Sequence, residues 1–130
     1  MLATASQSLP PVTSAYSTEG GFHTVTAADL CCELVGPQPP LVVDIREATD
    51  FAQGHVPGAV SVPLSQLSDA ARRGNLGGRD AALVVVGNND RLSQQANVRL
   101  RRVCGFSNVR SLAGDVDGWA SLGLPLDANH

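Results

Sequence analysis

A thiol is the strongest nucleophile this chain can offer, and it has three: Cys31, Cys32 and Cys104. A thiolate does group-transfer chemistry when a helix N-terminus or a cation holds its pKa down. Cys31 and Cys32 are adjacent, which is not a zinc-ligand spacing, and no His cluster accompanies them. No metal and no cofactor is expected. Cys31 and Cys104 fall on the apolar faces of their predicted helices, where a thiol packs as a small hydrophobe. Cys32 falls on the outer side, with redox reactivity as the alternative to a bland surface role.

The other side chains with chemistry in them are Asp44, Arg46, His55, Asp90, Arg91, Asp115, Asp117 and the run Arg99, Arg101, Arg102. His55 lies within Gly-His-x-Pro-Gly and reads as a structural turn residue, with a general base as the alternative. Asp44 and Arg46 read as groups that orient backbone and neighbours, and they stay among the binding candidates with Asp90, Arg91 and Asp115. Asp90, Asp115 and Asp117 could instead gather into a pocket for a small ligand or cation. The three arginines read as a solvated helix face, or as a patch for an acidic partner.

These groups need elements to position them. Phe22–Val25 is a short β-type run. Thr26 is a candidate N-cap with Asp29 three residues on, opening a helix over 27–35 that Gly36-Pro37 ends. Leu41–Ile45 and Ala82–Val86 are almost continuously apolar, the pattern of strands buried on both faces of a parallel sheet. Ala48–Gln53 is a short helix, 59–62 a strand, and Ser65 a candidate cap for a helix to about Arg72. Gly87-Asn88-Asn89-Asp90 is a turn by composition. After it Leu92, Ala96, Leu100, Val103 and Cys104 share one helical face, with Gly105 as the stop. Val109–Leu112 is a last strand and Asp115–Leu122 a last helix. Alternating strands and helices predict an α/β domain, a mainly parallel five-stranded sheet with helices on both faces.

In such a sheet ligands bind beyond the carboxyl ends of the strands. The loop Gly87, Asn88, Asn89, Asp90, Arg91, Leu92, Ser93 is the most suggestive of these ends. It feeds a strong helix, whose N–H groups and dipole favour an anion.

Residues 41–63, LVVDIREATDFAQGHVPGAVSVP, closely resemble the corresponding segment of rhodanese domains, through Asp44-x-Arg46-Glu47, Phe51 and Gly54-His55-x-Pro57-Gly58-Ala59. The stretch from Gly105-Phe106 through Leu112-x-Gly114 and Trp119 to Gly123-Leu124-Pro125 is similar to that family too, so the resemblance covers about residues 22 to 126. The resemblance implies sulfur transfer: a Cys at the end of the central strand takes a sulfane sulfur and passes it on as a persulfide. It also implies a loop Cys-x-x-Gly-x-Arg, usually then Ser. On this chain the Cys position falls on Gly87, the loop glycine on Asp90, the arginine on Leu92 and the serine on Ser93. Only the serine is kept, and Arg91 is one place early. Asp90 would then cap the helix in place of an incoming anion. Asp115 stands where the family often has a second glycine. The expectation is a catalytically inactive rhodanese-like domain used as an interaction or regulatory module. Sulfur transfer through another Cys, or small-ligand binding at the altered loop, is kept as the alternative.

Composition bounds the rest. The chain has 130 residues, a net charge of -3 and 43% hydrophobic residues, enough for one cored domain and too apolar for a disordered chain. All nine basic residues are Arg. The acidic balance argues against a nucleic-acid partner, and no apolar run reaches the roughly 18 residues of a membrane span. Residues 1–20 read as a flexible leader or linker, 21–127 as the domain and 128–130 as a tail. An unidentified protein partner, a monomer and an intracellular, by default cytoplasmic, location are expected, with an organelle open if the chain is an excised domain.

Overall fold

The two apolar runs become the middle of the sheet. In a computed structural model, which describes residues 23–128, they form β2 (Leu41–Asp44) and β4 (Leu83–Val86). These pair in parallel from Leu41↔Leu83 to Asp44↔Val86. β5 (Val109–Leu112) lies on the other side of β4, β1 (Thr24–Val25) beyond β5, and β3 (Val60–Ser61) beyond β2. All the pairings are parallel, so β4 is the central strand of five. The expected leader, residues 1–20, lies outside the described residues.

Parallel neighbours need crossover segments. These are α1 (Ala27–Leu34), α2 (Ala48–Gln53), α3 (Leu67–Arg72) and α4 (Asp90–Val98), with α5 (Asp115–Ser121) closing the chain. Successive strand residues point to opposite faces and build two cores. Val43, Leu83 and Val85 pack with Leu67, Ala96, Leu100 and Phe106 under α3 and α4. Val42, Val84 and Val86 pack with Leu30, Val116 and Trp119 under α1 and α5. All six of these strand residues are at most 1% exposed, and each buried aliphatic side chain contributes about 1.5–3 kcal/mol relative to exposure. That double burial is why the runs are almost wholly apolar, Asp44 at the end of β2 being the exception, buried and paired with Arg46. Among the described residues no helix is long and apolar enough to cross a membrane.

Three local expectations change. Thr26 caps α1 as read, its hydroxyl accepting from the Asp29 N–H at 3.1 Å. Ser65 caps nothing: it lies inside a 3-10 turn, Leu64–Gln66, that leads into α3. After Val98 the α4 helix opens into a π turn, Arg99–Val103, with the Cys104 N–H donating to the Arg99 carbonyl five residues back at 3.1 Å. The wider turn shifts the helical phase. Leu100 stays fully buried, while Val103, expected on the apolar face, is 74% exposed. Arg99 and Arg101 are not a solvated face either. Arg99 donates to the Leu64 carbonyl. Arg101 donates to Asn97 Oδ1 at 3.0 Å and to the Val109 and Ser107 carbonyls, tying the helix to β5. Only Arg102 of the three is exposed.

Candidate functional site

β4 delivers Gly87 to the centre of the carboxyl edge of the sheet. There its N–H donates to Asp115 Oδ1 at 2.9 Å, and the Ser93 hydroxyl donates to the same oxygen. Ser93 and Asp115 are both buried. Three segments of chain therefore close on one carboxylate: the end of β4, the first turn of α4 and the start of α5. A Cβ on Gly87 would meet Ser93 Oγ at 2.9 Å and Ile45 Cδ1 at 3.4 Å. The space a side chain would need there is bounded by Ser93 and Ile45.

Asp115 reaches this position from an unusual backbone. Its φ is +54, in the left-handed region, directly after Gly114 at φ +78. Aspartate is among the few side-chain-bearing residues that tolerate that region. Burial pushes the Asp115 carboxyl above the ordinary carboxylate range. The donors Ser93 and Gly87 oppose the rise, and the neighbouring Asp90 carboxylate adds to it. The strand end is thus occupied by a buried carboxyl group with a second, exposed carboxylate, Asp90, nearby.

The helix start is one residue earlier than its composition implied. Asn89, not Asp90, is the N-cap: its side chain accepts from the Leu92 N–H at 3.0 Å and its carbonyl from the Ser93 N–H. Asp90 is the first helical residue, where its charge still complements the dipole. Asn88, Arg91 and Leu92 complete the loop, with Asn88 and Arg91 exposed and Leu92 half-buried. Two of the N–H groups that could have faced an anion are already engaged, Gly87 by Asp115 and Leu92 by Asn89.

The other candidates lie apart from this centre. Asp44 and Arg46 bind each other: Arg46 Nη2 donates to Asp44 Oδ2 at 2.8 Å and Nε to both carboxylate oxygens, while the Arg46 N–H donates to Oδ1. Nη2 also donates to the Gly54 carbonyl at 2.7 Å, fixing the turn that carries His55. His55 is buried, stacked on Phe51 at 3.7 Å between ring centres, with Nδ1 2.7 Å from the Phe51 carbonyl. Both arrangements are those of positioning groups. The acidic trio does not assemble as a cation pocket. Asp115 is buried on protein donors, Asp117 is exposed on α5, and among the described residues no group of three or more His, Cys, Asp or Glu side chains is placed to hold a metal ion. The Gly87–Asp115–Ser93 closure spans 28 and 22 residues of chain. The signal for it was Asp115 itself, standing where the rhodanese resemblance implies a glycine and expected only to make the mouth of the site acidic.

The profile of the rhodanese-like domain family matches residues 27–122. The thiosulfate sulfurtransferase GlpE of Pseudomonas putida (strain GB-1) is 38% identical over 87 residues, covering 67% of this chain and 76% of that protein. The uncharacterized protein YibN of Escherichia coli (strain K12) is 31% identical over 98 residues, 72% of this chain; the match spans 64% of the length of that relative. Among solved structures, the Alr3790 protein from Anabaena sp. superposes with a TM-score of 0.72 at 28% identity, covering 80% of this chain and 81% of that one.

Proposed function

This chain belongs to the rhodanese-like domain family, and we propose that it is a non-catalytic member working as an interaction or regulatory module. The carrying observation is the buried Asp115 carboxylate bonded to the Gly87 N–H at the end of the central strand. The family resemblance calls for a nucleophilic Cys there. Glycine supplies no atom that could accept sulfur. Leu92, in the arginine position, supplies no guanidinium to hold an anionic donor. Asp115 and Asp90 add negative charge where an anion would have to enter. The loop 87–92 is then a contact surface, since exposed loops on a rigid scaffold carry binding more often than cores do.

A second reading has one observation in its favour. Cys104 lines a cavity whose rim carries Arg72 and Arg79, an electropositive setting for a thiol that could stand in for the missing one. One experiment separates the two. The chain is incubated with thiosulfate and cyanide, and thiocyanate is measured beside a variant carrying Cys31→Ser, Cys32→Ser and Cys104→Ser. No thiocyanate above the Cys-free variant is expected. Turnover that disappears in that variant would overturn the non-catalytic reading.

A further inference from the structure

The π turn produces a surface that the helix alone would not. We infer that the face made by α3, the start of α4 and the π turn is a docking site for an acidic protein segment carrying an aliphatic side chain. Two cavities meet there, of about 480 and 540 Å³, and Val103 lines both. The floor of the first is apolar, formed by Ala71, Cys104 and Phe106; its rim carries Arg72 and Arg79. The second runs along Val98 between Arg91 and Arg99. Four guanidinium groups thus surround one exposed valine, and no carboxylate lines either cavity, in a chain whose net charge is -3.

Two of the four cations are occupied. Arg72 pairs with Asp69, and Arg99 donates to the Leu64 carbonyl. Among the described residues no hydrogen bond or ion pair engages the guanidinium of Arg79 or Arg91; the Arg79 carbonyl accepts from Ser107, and both residues are exposed. Guanidinium forks without partners match carboxylates in geometry as well as charge. Val103 is exposed because of a specific device, the π turn, and such turns occur frequently at functional sites. An apolar knob ringed by arginines asks for a segment that brings carboxylates around an aliphatic side chain.

A nucleic acid satisfies the charge but not the rest. Single strands are held by stacking on exposed aromatic rings, and the one aromatic lining residue, Phe106, is 4% exposed. The inference rests on the interaction-module reading only for what the docking serves; the binding itself is tested without reference to catalysis.

A display library of random twelve-residue peptides panned on the full chain should enrich sequences rich in Asp and Glu with at least one Leu, Ile or Val. The most enriched peptide, labelled with fluorescein, is then titrated by anisotropy against the chain, Arg79→Glu/Arg91→Glu and Val103→Ser. All three positions are exposed, so matching thermal melts are expected. The double charge reversal should weaken binding by about tenfold and flatten its salt dependence. Val103→Ser should weaken it several-fold with the salt dependence kept. No enrichment, enrichment without acidic bias, or affinity indifferent to these substitutions would overturn the inference. So would a labelled oligouridylate of equal length binding more tightly than the peptide. Thiocyanate formation would sink the non-catalytic reading while leaving these titrations unaffected, so the two failures are distinguishable.

Discussion

Restoring a thiol at position 87 tests the closed site most directly. In Gly87→Cys the new Cβ would sit 2.9 Å from Ser93 Oγ and 3.4 Å from Ile45 Cδ1. The first distance is too short, so Ser93 has to turn away from Asp115. That leaves a buried hydroxyl and a buried carboxylate oxygen short of a partner, at about 1–3 kcal/mol. Ile45, at 3.4 Å, stays at ordinary contact distance and adds little. A loss of roughly 1–3 kcal/mol is expected, or a fall in Tm of about 5–20 °C for a domain of this size. The thiol would also lie beside a buried carboxylate, which raises its pKa and keeps it protonated.

Asp115→Gly removes that obstacle. The position already has φ +54, a conformation glycine adopts without strain. In a cycle of parent, Gly87→Cys, Asp115→Gly and the double variant, urea unfolding should show the two substitutions coupled. The double variant should be more stable than the sum of the singles by about 1–2 kcal/mol. Mass spectrometry after thiosulfate treatment supplies the second readout. When a thiolate attacks the sulfane sulfur, the S–S bond of thiosulfate breaks and sulfite leaves, adding one sulfur atom, about 32 Da. The adduct is expected in the double variant, and more fully once Asp90→Gly and Leu92→Arg are added. A repair made only at 87, 90 and 92 leaves the carboxylate in place and should fail. If Gly87→Cys alone is within about 0.5 kcal/mol of the parent and takes up sulfur with Asp115 present, the reasoning is refuted.

Two further outcomes follow from the same network and its neighbour. Burial raises the Asp115 carboxyl above its ordinary range, so its proton is held more tightly folded than unfolded. Its contribution to stability is full below the ordinary carboxyl pKa and is lost as pH rises through the raised value. Asp115→Asn keeps an acceptor for Gly87 and Ser93, and should raise the urea midpoint at pH 7 while changing it little at pH 4; equal gains at both would contradict the assignment. Arg101→Ala removes donors from Asn97 Oδ1 and from the Ser107 and Val109 carbonyls, and should cost about 2–3 kcal/mol in thermal or urea unfolding. The exposed neighbour Arg102→Ala should cost under about 0.5 kcal/mol, and equal losses would mean that the Arg101 contacts carry no weight.

Much of the fold was legible because it rests on burial, which leaves a pattern in the residues. Leu41–Val43, Ile45 and Ala82–Val86 had to be apolar where the sheet is covered on both faces, and the short helix Ala48–Gln53 ends at Gly54 as its turn residues implied. What stayed hidden depends on phase or on distance along the chain. Gly87-Asn88-Asn89-Asp90 holds several good capping residues in a row, and only the extended backbone at Asn89, φ -157 and ψ 165, decides which one caps. The π turn shifts Val103 by part of a turn, which a regular 3.6-residue period cannot represent. Arg101 reaches Asn97 at ordinary i, i+4 helical spacing, but its bonds to the Ser107 and Val109 carbonyls join the helix to the next strand and the loop before it, a contact that local periodicity does not reveal. The Gly87–Asp115 contact joins residues 28 positions apart, and the sequence held only its cause, an aspartate in a glycine position.

That aspartate and Gly87 are best understood together. Without Asp115, the Gly87 N–H and the Ser93 hydroxyl would both be buried donors lacking the acceptor they now share. Each needs an acceptor, because an unpaired buried donor is costly. Asp115 satisfies both with one oxygen, at the expense of a charged group held in low dielectric. Neither substitution is neutral without the other: glycine alone leaves donors unpaired, and aspartate alone collides in charge with a thiolate. Gly87 and Asp115 therefore support each other, and a change at either position alone is disfavoured. Arg91 lies within the same loop yet lines the docking cavity on the outer face. Asp115→Gly removes the acceptor that Ser93, in the same helix start, is bonded to. If the proposed segment docks there, binding in the peptide titration should weaken as well; an unchanged affinity would show that the two faces are independent.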